Sequence, residues 1–352
     1  MKKNNILVAA CLAALSLAAC GGNKQENNPV ALAGAGATFP EPYYTVAFDD
    51  YQAASANTVS YGGIGSGGGV RNLKDQIVDF AGTDAFLSDE EMKEMAPVVH
   101  IPTCMGAVVL AYNLPEVEHL NLDAATVVGI FTGEITRWND ARIAALNPNA
   151  SLPDKKVNPV YRSDGSGTTF IFTSYLASVS PSWAATYGAA KSVNFPTGQA
   201  AKGNPGVAGM IAQTEGAIGY VGSEYAFAQK IPYAALQNQH GEMVEANAES
   251  ISLAASGYMP EDTRCMIVNS PAHGAYPISC FTWIVIYREQ HYADRSLDQA
   301  KATLSLMRYM LSADAQNRTS EVNYAPLPKK AIEQSLKNLA TLTYDGAPLS
   351  TL

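Results

Sequence analysis

The chain has 352 residues, 47% hydrophobic and 16% charged, with 28 glycines and a formal net charge of −9. Such a composition is globular, its length fits about two domains, and its acidity argues against a nucleic-acid partner. An acidic chain still holds an anion where fixed local dipoles, rather than the overall field, do the holding.

Lys2 and Lys3 open the chain, followed by an apolar run from Ile6 to Leu17 and by Leu17-Ala18-Ala19-Cys20. The pattern resembles a bacterial lipoprotein signal, so residues 1–19 are expected to be removed and Cys20 to be acylated. A plain secretory signal, with Cys20 incidental, is the alternative. Both imply export, and lipidation would hold the chain to a membrane facing the periplasm or the cell exterior. Loss of Lys2 and Lys3 takes the net charge from −9 to about −11. Residues 20–30, polar and aperiodic after Cys20, read as a flexible tether. No later apolar run reaches the roughly 18 residues of a spanning helix.

Ala31–Ala37 reads as a short strand of small residues ending at Thr38-Phe39-Pro40, where the Thr38 and Phe39 amides are presented at a turn. Pro40 and Pro42 suit the start of a helix carrying Tyr43, Val46, Ala47 and Tyr51. Thr58–Tyr61 alternates like a strand and enters Gly62-Gly63-Ile64-Gly65-Ser66-Gly67-Gly68-Gly69 before a helix at Val70. Gly63-x-Gly65-x-x-Gly68 matches a dinucleotide fingerprint only weakly in so glycine-rich a run, and no P-loop lysine follows. A nest of amides with the Ser66 hydroxyl is what remains.

Asp79–Thr83 is a short strand ending at Asp84, and Ser88 with Glu91 forms a capping box for the next helix. In open α/β folds ligands gather at the carboxyl ends of strands; a turn or cap is the alternative fate of Asp84. Ile101–Asn113 is nearly all apolar, as a buried strand should be. Asp123–Phe131 and Arg142–Leu146 read as helices, with Trp138 near them.

Val157–Tyr161 then feeds Arg162-Ser163-Asp164-Gly165-Ser166-Gly167-Thr168, and a helix leaves at Thr169. The Ser166, Gly167 and Thr168 amides are the orphan donors of a helix N-terminus, suited to a tetrahedral oxyanion. Gly165 and Gly167 permit close backbone approach. Arg162 offers a two-pronged contact, with Asp164 near enough to hold it. The same residues also suit a strand–turn–helix junction in which Ser166 is a plain N-cap.

Beyond it, Asn204–Gln213 and Tyr225–Lys230 read as helices, and Gly216–Val221 as a core strand. Leu236–Glu249 reads as irregular, Phe281–Tyr287 as a second core strand and Leu297–Leu311 as a helix; Tyr324–Pro328 returns to extended chain. Alternating strands and helices make the fold class α/β. Of the body's cysteines, Cys265 and Cys280 are candidates for a disulfide that would staple the loop between them by about 3 kcal/mol. Cys104 reads as a buried thiol. The absence of Cys-x-x-Cys spacing argues against zinc.

Four motifs taken together carry a resemblance: Gly34-x-Gly36-Ala37-Thr38-Phe39-Pro40, Gly63–Val70, Asp79–Asp84 and Arg162–Thr168. From Gly34 to its end the chain resembles the phosphate-binding proteins of high-affinity phosphate ABC transporters. Trp138 with Asn147-Pro148 and Gly216–Val221 add to the likeness. The resemblance implies a type II periplasmic-binding fold, two α/β lobes joined by a hinge around a ligand cleft. It places residues 31–108 and 277–352 in lobe I and 109–276 in lobe II. It implies phosphate contacts from Thr38 and Phe39 amides, Ser66, Asp84, Arg162, Ser166, Gly167 and Thr168, with Asp164 orienting Arg162. Permease subunits would be the protein partners, the chain itself a monomer, and neither cofactor nor metal is expected. The segment Leu236–Ala275, the three body cysteines and Gly222-Ser223 depart from the family pattern.

Asp84 makes chemical sense beside an anion that still carries a proton. Phosphate near neutral pH can donate to it, whereas fully deprotonated sulfate meets only repulsion. Binding is expected to close the two lobes. Alternatives are another oxyanion on the same fold, sulfate or molybdate, or a phosphatase-like enzyme. Against the enzyme, Gly165-Ser166-Gly167 lacks the Gly-x-Ser-x-Gly spacing, and none of the five histidines lies in the motif loops.

Overall fold

A computed structural model describes residues 29–255, 257 and 259–352. The removal of 1–19, the acylation of Cys20 and nearly all of the tether lie outside the described residues. Among those described, no helix is long and apolar enough to cross a membrane.

In chain order the first part runs β1 (Ala31–Gly36), α1 (Glu41–Ser55), β2 (Thr58–Gly63), α2 (Ser66–Lys74), β3 (Phe80–Thr83), α3 (Asp89–Lys93) and β4 (Val98–Tyr112). The middle continues with β5 (Asn121–Leu122), α4 (Ala124–Thr132), α5 (Ala141–Leu146), β6 (Asn158–Arg162), α6 (Gly167–Val179) and α7 (Pro181–Thr186). Then come β7 (Gln199–Ala201), α8 (Gly203–Gln213), β8 (Ala217–Gly222), α9 (Ser223–Gln229), β9 (Ala235–Gln237), β10 (Met243–Val244) and α10 (Ala248–Ala254). β11 (Ser279–Tyr287), α11 (Leu297–Met310), α12 (Ala313–Arg318) and α13 (Lys329–Leu339) follow.

Local chemistry sets several of these boundaries. α3 starts in the expected capping box, Ser88 accepting from the Glu91 amide at 3.1 Å while Glu91 accepts from Ser88 N–H at 2.9 Å. α4 starts in another, built by Asp123 and Thr126, and ends on Gly133 at φ 78°. β4 and β11 are buried along their whole length, so both read as continuous apolar runs.

The eight strands of the main sheet lie in the order β2-β1-β3-β11-β4-β8-β6-β7. β1 is parallel to β2 and β3, β6 is parallel to β7 and β8, and β11 is antiparallel to both β3 and β4. β4 pairs with β11 along Val98–Ala107 and with β8 along Val108–Tyr112, so this one strand belongs to both halves of the sheet. Aromatic side chains pack within each half, and Phe86 after β3 meets Phe170 of α6 across the boundary. Tyr44, Phe48, Tyr61 and Phe80 pack in the first, and Phe131, Phe172, Phe195 and Tyr220 in the second.

The expected Cys265–Cys280 bridge is not formed: Cys104, Cys265 and Cys280 are all free thiols. Cys280 is fixed within β11, buried, with its Sγ 3.6 Å from the Gly106 carbonyl of β4. Cys265 is half-buried in the loop before β11, on the wall of a groove shared with Met259, Met266 and Lys329. A bridge needs the two Cβ atoms about 4 Å apart, which spacing in the sequence cannot show.

Candidate functional site

Five chain segments reach one buried point from the ends of parallel strands. They are the turn after β1, the glycine loop after β2, Asp84 after β3, the loop after β6, and the start of α8 after β7. Thr38, Ser66, Asp84, Arg162, Ser166, Thr168 and Asn204 are all buried there.

The turn after β1 is held through its carbonyls and its threonine hydroxyl. Thr38 Oγ1 accepts from Asn204 N at 3.1 Å and from Asn204 Nδ2 at 2.9 Å. Tyr225 donates its hydroxyl to Thr38 O at 2.6 Å, and Tyr324 donates to Phe39 O. The Thr38 and Phe39 amides, by contrast, donate to no described residue.

Ser66 begins α2 just after Gly65, whose φ of 88° suits only a residue without Cβ. Its hydroxyl oxygen accepts from Gly167 N at 3.1 Å and from Asp84 N at 3.3 Å. One residue on, Gly67 N donates to Gly165 O at 2.9 Å. Two glycine loops from opposite halves of the sheet are thus in backbone contact, which is what their lack of side chains allows.

Asp84 is 1% exposed, and its Oδ1 accepts from the Thr282 hydroxyl at 2.8 Å. Burial lifts its pKa to about 7, against the opposing pull of the Thr282 hydrogen bond and the Arg162 charge. The carboxyl therefore sits near half-protonation at neutral pH.

Arg162 ends β6 with its guanidinium clamped by Asp164. Nε donates to Oδ1 at 2.8 Å, and Nη2 to Oδ2 at 2.5 Å. Nη1 donates to Thr168 Oγ1 at 3.2 Å. Asp164 also accepts from Gly203 N at 3.0 Å. Burial would raise its pKa, but these bonds outweigh it and hold the carboxyl below the ordinary range.

The loop before α6 differs in detail from its sequence reading. Ser166 is the N-cap, its hydroxyl oxygen accepting from Thr169 N at 3.1 Å. Its own amide donates to Lys191 O at 2.9 Å, and the Gly167 amide donates to Ser66 Oγ. Of the three amides expected to face outward, only that of Thr168 donates to no described residue. Anion donor and N-cap were alternatives for Ser166. Its oxygen is engaged in the cap, while its hydroxyl hydrogen is left to give.

Three contributors were not singled out from the sequence. Asn204 bridges Thr38 Oγ1 and Thr168 Oγ1, its Nδ2 standing 2.9 and 3.2 Å from them. Thr282 reaches Asp84 from β11. Lys191 holds Ser166 by its carbonyl and ties to Glu91 of α3 with an Nζ–Oε1 separation of 2.6 Å. Asn204 had a signal, the Gly203-Asn204-Pro205-Gly206 turn at the head of a helix; the other two act only through tertiary contact.

One fixed guanidinium, hydroxyls from three residues, unpaired main-chain amides and one acid titrating near neutrality are the groups that a tetrahedral anion bearing a proton would need. Among the described residues no group of three or more His, Cys, Asp or Glu could hold a metal ion.

Residues 23–314 match the model of the PBP superfamily domain. The chain is 38% identical over 315 residues to the phosphate-binding protein PstS of Xylella fastidiosa, covering 88% of this chain and 85% of the relative. It is 35% identical over 310 residues to the protein of the same name from Pasteurella multocida, covering 86% and 88%. A high affinity periplasmic phosphate-binding protein, solved with phosphate bound at pH 8.5, superposes with a TM-score of 0.70. The identity is 20%, with 91% of this chain and 96% of that one covered.

Proposed function

The chain belongs to the PBP superfamily and, within it, to the phosphate-binding proteins of phosphate ABC transporters, and from that premise we propose how its residues capture phosphate. The Thr38, Phe39, Ser66 and Thr168 amides, the Ser66, Ser166 and Thr168 hydroxyls and the remaining N–H groups of Arg162 donate to the phosphate oxygens. Gly167 supplies the close backbone approach and lends its own amide once Ser66 turns to the ligand. Asp164 does not touch phosphate; it fixes the plane of the guanidinium. Asp84 takes part in one shared proton, accepting from a phosphate hydroxyl or donating to a bare phosphate oxygen. The observation that carries this reading is Asp84 itself, buried among anion donors yet holding its proton near pH 7.

Residues 31–108 with 277–352 act as lobe I and 109–276 as lobe II, and β4 supports this by pairing with both halves of the sheet. The protein is exported, anchored through lipid on Cys20, works as a monomer and hands phosphate to a permease. It is a binding protein rather than a hydrolase, and a phosphate-release assay with phosphoester substrates is expected to stay at background. Equilibrium dialysis of residues 20–352 against radiolabelled phosphate tests the reading. One saturable site is expected, lost on replacing Arg162 by Met; no retention of label by the parent chain would overturn it.

A further inference from the structure

Glu224 lies in the first turn of α9, just after β8, and is 2% exposed. Among the described residues neither of its carboxyl oxygens accepts a hydrogen bond of ordinary length. Oε1 is packed so closely on Gly222 that a Cβ there would collide with it. The groups facing it are Asp84 after β3, Cys104 of β4, Cys280 of β11, Tyr225 of α9 and Tyr324 ahead of α13. None is a cation.

Hydrogen-bond accounting then decides the form of the acid. Tyr324 has one hydroxyl hydrogen, and it is donated to Phe39 O. The main-chain N–H of Glu224, in the first turn of α9, is the donor beside its carboxyl. That single donor does not offset the burial of a charge, whereas a carboxylic acid stays neutral and can donate to the phenol oxygen. Two connections run from this position into the anion site. One passes through Tyr324 to the Phe39 carbonyl. The other passes through Gly222 N, which donates to Asn204 Oδ1 at 3.0 Å, and Asn204 bridges Thr38 and Thr168.

Resting on the phosphate reading above, we infer that Glu224 is a positioning residue held as a neutral acid, which anchors the Thr38-Phe39 turn through Tyr324 and sets the alkaline limit of binding. When it ionises, it can no longer donate to Tyr324 and a second negative charge appears behind Asp84, so phosphate is expelled. Burial, followed by the nearby Asp84 charge, pushes the Glu224 carboxyl well up from its ordinary value. The sign is therefore fixed: binding is supported below the raised pKa and fails above it.

The test measures phosphate affinity of the full mature chain from neutral to strongly alkaline pH, for the parent and for Glu224→Gln. At neutral pH the variant is expected within about threefold of the parent, because an amide can also donate to Tyr324. At alkaline pH the parent is expected to lose affinity by up to about tenfold per pH unit beyond the loss shared with the variant. Superimposable profiles would overturn the inference, as would loss of about a hundredfold in the variant at neutral pH, the mark of a working carboxylate. Failure of the parent to bind phosphate at neutral pH would instead remove the reading beneath it. Should Glu224→Gln not fold, the parent labelled with 13C at glutamate carboxyls gives the answer alone. One protonated glutamate signal is expected at about pH 8, and its absence would contradict the inference.

Discussion

In the proposed site, Asp84 is the residue on which selectivity turns. Its pKa of about 7 means that below neutrality it carries a proton and can donate to any oxyanion. Above neutrality it is charged and accepts only from an anion that still has a proton of its own. Rejection of sulfate is therefore expected to strengthen as pH rises through about 7 and to fade below it. Competition of sulfate with bound phosphate at about pH 5 and about pH 8 checks this, with sulfate effective only at the lower value. In Asp84→Asn the amide donates at every pH, so sulfate should compete equally at both; a variant that still rejects sulfate at about pH 8 would deny Asp84 this role. A site built to hydrogen-bond one group rejects analogues lacking it by about 10⁴–10⁵, so the change should be large. Asp84 was singled out through likeness to a family, since a carboxylate at the end of a strand reads by itself equally as a turn or a cap. Thr282 was not, since a threonine in an apolar strand carries no sign that its hydroxyl meets Asp84 from 198 positions away.

At the scale of elements, α6 shows how a boundary carries function. The sequence pattern placed its start at Thr169, and the helix begins at Gly167, capped by Ser166. Those two residues decide what the N-terminus can face. A Cβ at Gly167 would lie 2.5 Å from Ser66 Oγ and 2.6 Å from Asp84 Oδ2, both on the opposite half of the sheet. Gly167→Ala is thus expected to hold the loops apart and weaken phosphate binding roughly tenfold to a hundredfold, as overpacking by about 1–3 kcal/mol implies. Calorimetry beside a melting curve checks it: affinity should fall while the melting temperature of the phosphate-free protein stays close to the parent's. An unchanged affinity would mean the loops need not approach this closely. The long apolar strands β4 and β11 were readable from composition alone. α13 was not read, because it opens after Pro328 without a side-chain cap and leaves Leu336 exposed, so its start signal is weak. The Cys265–Cys280 pairing failed for a related reason: compartment and count suggested a bridge, while strand placement decided otherwise.

Across the whole molecule the sheet is one continuous array, and besides the Phe86–Phe170 pair its two halves meet at the site through short polar links. Gly67 with Gly165, Thr38 with Tyr225 and with Asn204, and Glu91 with Lys191 all span the boundary. Contacts of this size are readily exchanged for contacts with a ligand, and β4, the strand paired with both halves, is the element about which they would turn. Small-angle scattering is expected to show a smaller radius of gyration at saturating phosphate than without it; no change at saturation would contradict closure. This level was the least legible in the sequence. The motifs named the loops, and likeness to a family supplied their arrangement, but the pairing of one strand with both halves emerges only from register. The central claim is that these loops select phosphate, and a calorimetric titration of the refolded, phosphate-free mature chain at about pH 8 tests it most directly. Tight one-to-one binding of phosphate and no heat from sulfate are expected, whereas equal binding of sulfate, or silence from both, would mean that the loops do not select phosphate.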